Sequence, residues 1–234
     1  MVTTTMNKNI TLILDFDSTF IEGESLDLLA EIALEGKRNK MEVLAEVRRL
    51  TREGMEGNMS YVEVLEKRLG LFHAHKHHIA ILVANLKQSV TPSIIRHTAF
   101  FRKHAGQIYI LSGGFREYIE PVVSDFGIAK DHILANTFTF DDKGMVTGYD
   151  TANPLAREKG KVVMLKQMHL SGDVYLIGDG YTDYEAKESH LVKAFFAFTE
   201  NVWRETVIEK ADRVVGSFEE VLEIVETLQC NVFT

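Results

Sequence analysis

The sequence predicts an α/β protein with a Rossmann-like, doubly wound parallel sheet and a small helical cap inserted after the first catalytic strand. Two observations lead to this prediction. Short apolar runs alternate with helical patterns over most of the chain, which is typical of parallel sheets. After the first apolar run, however, the pattern stays helical until residue 91. We therefore expect residues 1–21 and 92–234 to form the core, and residues 22–91 to form the cap.

The composition is that of an ordinary soluble protein of 234 residues, with 45% apolar and 26% charged residues. Its formal net charge of −8 argues against nucleic acid or an anionic membrane surface as the main partner. The single cysteine, Cys230, cannot form an internal disulfide, and the opening segment MVTTTMNKNI lacks an apolar stretch of signal-peptide length. We expect a cytoplasmic protein that acts on a small molecule.

The first apolar run begins at Ile10 and ends abruptly at Asp15 and Asp17, followed by the hydroxyl residues Ser18 and Thr19. A short run of this kind is typical of a buried parallel strand. Its charged end then lies at the carboxyl edge of the sheet, where open α/β sheets bind ligands. This pattern indicates metal binding and nucleophilic chemistry. The alternative is a strand that simply ends in a polar turn.

The insert is predicted to be helical because its apolar residues recur at helical spacing. Ser60 and Glu63 have the spacing of a capping box that opens a helix reaching Leu69, and Thr91-Pro92 marks the end of the insert. An insert at this point of the chain is well placed to cover a site as a lid. Four histidines are interpreted as a solvated face of this lid rather than a metal site: His73, His75, His77 and His78.

After residue 92 the chain alternates strand and helix. Strands are predicted at Gln107–Leu111, Val174–Ile177 and Leu191–Phe198. Helices are predicted near Arg116–Phe126, Gly160–His169 and Phe218–Leu228. The stretch Asp142-Lys143-Gly144 is typical of a hairpin turn between two short strands.

Polar turns follow three of the predicted parallel strands, so their residues should meet at one edge of the sheet. They are Asp15–Thr19, Ser112–Phe115 and Gly178–Asp183, and a fourth segment, Glu158–Lys161, opens a helix. A hydroxyl and free amides at a helix start bind anions, and aspartates at strand ends can share a Mg²⁺ ion. A nearby lysine balances the charge of a transferring phosphoryl group, which makes an aspartate plausible as its nucleophile.

Four segments, DFDST, SGGF, KGK and GDGYTD, occur in this order and resemble the four motifs of haloacid dehalogenase-type phosphatases. The resemblance runs from about Ile10 to Leu228, and the insert segment MEGNMSYVEVLEKRL is similar to that of members acting on phosphoserine. It implies Mg²⁺-dependent hydrolysis of O-phospho-L-serine to L-serine and phosphate, through an aspartyl-phosphate intermediate, in serine biosynthesis.

The resemblance also implies roles for the aspartates. Asp15 would be the nucleophile, and Asp17 would protonate the leaving oxygen and then activate water. Asp15, the backbone carbonyl of Asp17, and Asp179 would hold Mg²⁺, while Asp183 would support these ligands from nearby.

The phosphate would be held by Ser112, Gly113 and Lys159, with Lys161 as the competing choice for the motif lysine. Thr182 occupies a position that holds threonine or asparagine in such enzymes. Tyr181 stands where a small residue is common, so a narrower rim of the site is expected.

Substrate choice is expected to lie in the insert, where Glu24 would face the ammonium of phosphoserine and Arg68 its carboxylate. Met55 falls where the lid of the family touches the substrate. Three alternatives stay open at this point: the same chemistry on another small phosphomonoester, phosphate transfer to an acceptor alcohol, and a non-catalytic phosphoserine-binding module.

Overall fold

The computed structural model describes residues 6–7 and 9–230, without the side chains of residues 229 and 230. The strands are β1 (Ile10–Leu14), β2 (Ile108–Phe115), β3 (Ile133–Asn136), β4 (Phe138–Phe140), β5 (Val146–Tyr149), β6 (Asp173–Gly178), β7 (Ala194–Phe198) and β8 (Arg213–Val215). The helices are α1 (Ser25–Ala33), α2 (Lys40–Met55), α3 (Tyr61–Gly70), α4 (Lys76–Leu86), α5 (Pro92–Arg96), α6 (Thr98–Lys103), α7 (Arg116–Val123), α8 (Gly160–Met168), α9 (Tyr181–Glu188), α10 (Glu205–Ile208) and α11 (Phe218–Cys230).

Six strands form one parallel sheet in the order β3-β2-β1-β6-β7-β8. The central strand β1 pairs with a strand on each side, so that Leu12 lies opposite both Ile108 and Tyr175. After β1 the chain adds β2 and β3 on one side of this strand, and later β6, β7 and β8 on the other side. This reversal creates a crevice at the carboxyl ends of β1 and β6, where open α/β sheets bind ligands. The predicted fold class is confirmed.

The sheet is covered on both faces, which explains the continuous apolar run of β1. Leu12 and Leu14 pack into one apolar cluster, together with helices α5, α7 and α11. Ile13, on the opposite face, packs into a second cluster with Leu165 of α8. Since Leu12, Ile13 and Leu14 are fully buried, this part of β1 meets water on neither face, and charged residues appear only after the strand ends.

The insert after β1 contains α1 to α4, and its two ends lie side by side. Ile21 forms an antiparallel bridge with Val90, and the Thr91 amide donates to the Phe20 carbonyl at 3.0 Å. Within the insert, the Ser60 hydroxyl accepts from the Glu63 amide at 3.3 Å and caps α3, which is one half of the predicted capping box, whereas the Glu63 carboxylate accepts from Lys67. The exact division of the chain at residues 22 and 91 stays a prediction.

Three elements differ from their predicted bounds by three residues or more, and one of them is β7, which begins at Ala194 rather than at Leu191. Strand β2 continues through Ser112–Phe115, with a register shift against β3 between Leu111 and Phe115. The glycines, which indicate a turn in the sequence, form an irregularity within the strand. Helix α7 ends at Val123, and the last predicted turn is a separate 3₁₀ turn at Ser124–Phe126.

The predicted hairpin is present, since β4 and β5 pair antiparallel with Thr139 opposite Gly148. In its turn, the Asp141 carboxylate accepts from the amides of Lys143 and Met145. Over residues 6–7 and 9–230, no helix has the length and apolar character to cross a membrane. The predictions for the opening residues MVTTT and for the Cys230 side chain fall outside the described part of the chain.

Candidate active site

The nucleophile candidate is held rigidly at the end of β1. The Asp15 amide donates to the Ile177 carbonyl of β6 at 2.9 Å, which continues the sheet pairing. One carboxylate oxygen of Asp15 accepts from the Phe16 amide at 2.7 Å, and the side chain is buried. The chain then turns tightly, with Ser18 in the left-handed region at φ 51°. This geometry presents the second oxygen of Asp15 to the crevice.

Asp17 lies two residues further, and its carboxylate accepts from the Ser25 amide at the start of α1, at 2.8 Å. Burial raises the pKa of Asp17 to about 7, with Asp15 adding to the rise and the hydrogen bonds from Ser25 opposing it. A carboxyl group with this pKa can give and accept a proton near neutral pH.

The carboxylates of Asp15, Asp179 and Asp183 converge at the crevice, with one oxygen of each within 4.8 Å of the others, and all three are buried. Asp179 follows β6 directly and accepts from the Thr19 hydroxyl at 3.1 Å. Burial raises the pKa of both Asp179 and Asp183, the latter to about 7. Grouped oxygen ligands of this type could hold a divalent cation, which would favour the ionised carboxylates.

Lys161, in the first turn of α8, lies between two of these acids. Its amino group is 3.0 Å from an Asp15 oxygen and 2.7 Å from an Asp183 oxygen. Burial opposes its charge, but the two carboxylates raise its pKa above the usual value. Lys159 precedes the helix in a left-handed conformation, is exposed, and lines a small depression that Gly113, Lys161 and Thr182 also line. The structure thus brings Lys161, the competing choice, into contact with Asp15, and the role of Lys159 stays a prediction.

A cavity of about 330 Å³ opens beside Asp15, between the sheet edge and the insert. The sequence-predicted residues that line it, besides Asp15 and Asp17, are Glu24, Met55, Arg68, Ser112, Gly113 and Thr182. Tyr181 also lines the cavity, and its ring lies so close to Gly57 that a Cβ there would be 2.9 Å away. The ring of Tyr181 therefore contacts the segment after α2 at the edge of the cavity, and the narrower rim stays a prediction.

Glu24 directly precedes α1, and its carboxylate is held by two hydrogen-bond donors. One of its oxygens accepts from the Ser18 hydroxyl at 2.8 Å and from the Arg204 guanidinium at 3.2 Å. Burial raises the pKa of Glu24 to about 8, and the charges of Asp17 and Asp179 add to the rise.

Arg68 projects from α3, and its side chain is only 10% exposed. A terminal nitrogen donates to Asp27 at 2.6 Å, and the same Asp27 oxygen accepts from the Thr51 hydroxyl at 2.7 Å. Arg68 Nε is buried and has no hydrogen-bond partner within the described part of the protein. Arg68 also lines the cavity, so its guanidinium is a candidate partner for an anionic ligand there.

Sequence reasoning missed several residues of this site. Arg204, in the segment after β7, donates to Asp179 at 2.9 Å as well as to Glu24. Asn201 donates to the carbonyls of Ser18, Thr19 and Ile21 and to Thr91, and so ties the two ends of the insert together. Neither residue belongs to a recognisable motif, and no local signal in the sequence marks them.

The histidines of the insert lie away from this cavity, at the start of α4. His75 Nδ1 is 2.6 Å from His77 Nδ1 and also accepts from the His77 amide. Its other ring nitrogen is 2.7 Å from the Lys143 carbonyl. Thus His75 caps the helix and contacts the hairpin, and among the described residues the only grouped metal-ligand candidates are the three aspartates.

The chain is similar to phosphoserine phosphatases over most of its length. Human phosphoserine phosphatase is 32% identical over 211 residues, which cover 89% of each chain. A phosphoserine phosphohydrolase-like protein from Francisella tularensis superposes with a TM-score of 0.82 at 29% identity, over 92% of this chain and 98% of that one. A phospho-aspartyl intermediate analogue of phosphoserine phosphatase shares the fold, with a TM-score of 0.72 at 22% identity, over 93% and 99% of the two chains.

A model of haloacid dehalogenase-like hydrolases matches residues 12–188, which include all four motifs that the sequence analysis identified. The resemblance drawn from those motifs is thereby confirmed, and the chain belongs to the haloacid dehalogenase-like hydrolase family.

Proposed function

We propose that this protein is a Mg²⁺-dependent phosphatase that hydrolyses O-phospho-L-serine to L-serine and phosphate. The observation that carries the proposal is the position of Asp15, which lines the cavity with one oxygen 3.0 Å from the Lys161 amino group and lies near two further aspartates. The names of the human and Francisella relatives support the choice of phosphoserine. A place at the end of serine biosynthesis follows from this substrate.

The donor set fits Mg²⁺, because this cation prefers carboxylate oxygens and keeps several waters. Asp15 and Asp179 would hold it together with the backbone carbonyl of Asp17. Asp183 would support them, since its two oxygens are already bound by Lys161 and by the Gly180 amide. Bound at this position, the cation would supply positive charge that offsets the repulsion between a carboxylate nucleophile and a phosphate dianion.

In the first step, an Asp15 oxygen attacks phosphorus while the bond from phosphorus to the serine oxygen breaks. Asp17, protonated at its raised pKa of about 7, gives its proton to the leaving oxygen, so serine departs as a neutral alcohol. In the second step, Asp17 accepts a proton from water as the water oxygen attacks phosphorus. The bond to Asp15 breaks, phosphate leaves, and both aspartates return to their starting states.

The phosphate is proposed to lie against Ser112 and Gly113 at the irregular end of β2, with Thr182 at the start of α9. The Ser112 oxygen accepts from the Gly114 amide at 3.0 Å, which leaves the hydroxyl hydrogen for a ligand. Lys161 is proposed as the motif lysine, because its amino group already contacts the nucleophile.

The serine moiety is proposed to lie between Glu24, which would face its ammonium, and Arg68, which would face its carboxylate. Both residues line the cavity beside Asp15, which supports these roles. Met55 lines the same cavity from the end of α2. In this proposal residues 22–91 act as the cap, and the remainder of the chain is the catalytic core.

The test is phosphate release from L-phosphoserine with Mg²⁺, beside a panel of small phosphomonoesters and acceptor alcohols. We expect a strong preference for phosphoserine that Asp15→Asn abolishes, since an amide cannot form the acyl phosphate. A preference for another ester would keep the mechanism and reject the substrate. Tight phosphoserine binding without turnover would reject catalysis and favour a binding module.

A further inference from the structure

The peptide group between Gly113 and Gly114 is held at both of its ends. Its carbonyl oxygen accepts from the Tyr61 hydroxyl at 2.7 Å and from the Asn136 side-chain amide at 2.9 Å. Its N–H group donates to the Ser112 hydroxyl oxygen at 3.0 Å. These three bonds fix the orientation of a peptide that stands within the proposed phosphate site.

The bond to Ser112 also orients the serine. Because the Gly114 amide occupies a lone pair of the Ser112 oxygen, the hydroxyl hydrogen points elsewhere. Within the described part of the chain it has no acceptor, and Ser112 lines the cavity beside Asp15. Rotation of the Gly113–Gly114 peptide would break the bond from the Gly114 amide to Ser112. The Ser112 hydroxyl would then no longer be held in the orientation in which it can donate to a ligand in the cavity.

The two donors on the Gly113 carbonyl come from different parts of the fold. Asn136 ends β3 and belongs to the sheet, whereas Tyr61 is the first residue of α3 and belongs to the insert. The Tyr61 ring lies so close to Gly113 that a Cβ there would be 2.8 Å from a ring carbon. Only glycine permits this approach. Because Tyr61 belongs to the insert, its contact with Gly113 is made only when the insert is seated against the sheet.

The Tyr61 hydroxyl is a donor at all ordinary pH values, because burial raises its pKa above the usual value. It has one hydrogen, which it gives to the Gly113 carbonyl, and it accepts from the Asn136 amide at 2.9 Å. Tyr61, Asn136 and Gly113 thus form a closed set of three hydrogen bonds between the insert and the sheet.

We propose that Tyr61 is a positioning residue: when the insert is seated against the sheet, its hydroxyl fixes the Gly113–Gly114 peptide, and this peptide orients the Ser112 hydroxyl toward the proposed phosphate site. The residue does not touch the reacting atoms and acts through Gly113 and Ser112. The proposal rests on the proposed function only in placing the phosphate at these two residues. It makes phosphate affinity depend on a hydroxyl supplied by the insert.

The test is Tyr61→Phe, which keeps the ring and removes the hydroxyl. With Mg²⁺ present, we expect the Kd of inorganic phosphate to rise about fivefold, the loss typical of one hydrogen bond. The kcat/KM values for L-phosphoserine and phenyl phosphate should fall by a common factor, because both esters use the same phosphate site. The melting temperature should change little, since the packing of the ring is retained.

Tyr184→Phe is the matched control, because it removes a hydroxyl that donates to Glu188 at 2.7 Å, outside the proposed phosphate site. It should leave the Kd of phosphate unchanged. An equal Kd for Tyr61→Phe and Tyr184→Phe would overturn the proposal, and so would a change confined to phosphoserine. If the wild type does not hydrolyse phosphoserine at all, the phosphate titration still decides the role of Tyr61 independently.

Discussion

The amino group of Lys161 lies 3.0 Å from the carboxylate of Asp15, and both side chains are almost fully buried. The same amino group reaches Asp183 at 2.7 Å, so one cation is shared between two acids that would otherwise repel each other. This pairing places a positive charge beside the nucleophile candidate and beside the proposed position of the transferring phosphoryl group.

Lys161→Met should therefore reduce kcat/KM by about 10² or more, the loss seen when one stabilising donor is removed from an active site. Lys159→Met, two residues earlier on an exposed position, should change it by less than about twofold. Both values come from steady-state phosphate release. Loss of activity in Lys159→Met with retained activity in Lys161→Met would contradict this assignment.

Arg68→Ala should reduce activity on substrates that carry a carboxylate and leave activity on substrates without one nearly unchanged. We expect kcat/KM for L-phosphoserine to fall about 10²-fold, because a charged, buried hydrogen-bonded pair is lost. Activity on phosphoethanolamine, which lacks the carboxylate, should stay within about twofold of the wild type. Arg49→Ala, which removes an exposed ion pair with Glu46, is the control. An equal loss on both substrates would show that Arg68 acts through stability alone.

The raised pKa of Glu24 predicts a pH-dependent preference for the ammonium group. With a pKa of about 8, this carboxyl is mostly neutral at pH 7 and becomes anionic as pH rises. Relative to phospholactate, which lacks the amino group, kcat/KM for L-phosphoserine should therefore increase between about pH 7 and pH 9. Glu24→Gln should remove this difference, whereas a rise that persists in the variant would exclude Glu24 as its source.

The raised pKa of Glu24 also predicts how the free energy of unfolding depends on pH. Its pKa in the folded protein, about 8, lies above the ordinary value of 4.5, so the folded state binds more protons between these values. The free energy of unfolding should consequently fall as pH rises from 4.5 to 8. Urea unfolding of wild type and Glu24→Gln measures this, and the slope should be smaller in the variant. Identical slopes would contradict the raised pKa.

Gly178→Ala should destabilise the site through a steric conflict. A Cβ at this position would overlap the carboxylate of Asp183, which cannot withdraw because Lys161 and the Gly180 amide hold it. We expect a loss of about 1–3 kcal/mol in the free energy of unfolding, measured with urea. Gly70→Ala, where a Cβ would meet nothing within 4 Å, should change it by less than about 0.5 kcal/mol.

The sequence by itself determined the architecture and most of the site. The apolar run ending at Asp15, and the strands and helices around Asp179 and Ser112, are local patterns whose meaning does not depend on distant residues. Because parallel strands share one carboxyl edge, the order of these patterns along the chain is enough to bring the separate segments together. The helical insert and the hairpin were predictable because helical spacing and turn residues are also local sequence signals.

Only the tertiary structure decided which charged side chains meet. Lys159 and Lys161 share one short motif, and the conformation at the start of α8 alone turns Lys161 toward Asp15. Arg204 reaches Glu24 across 180 positions of the chain, and Tyr61 reaches Gly113 across 52. The periodicity of apolar residues indicates which face of a helix or strand packs against the core. It carries no information on the distances between side chains of different elements, and those distances set the charges and hydrogen bonds of this site.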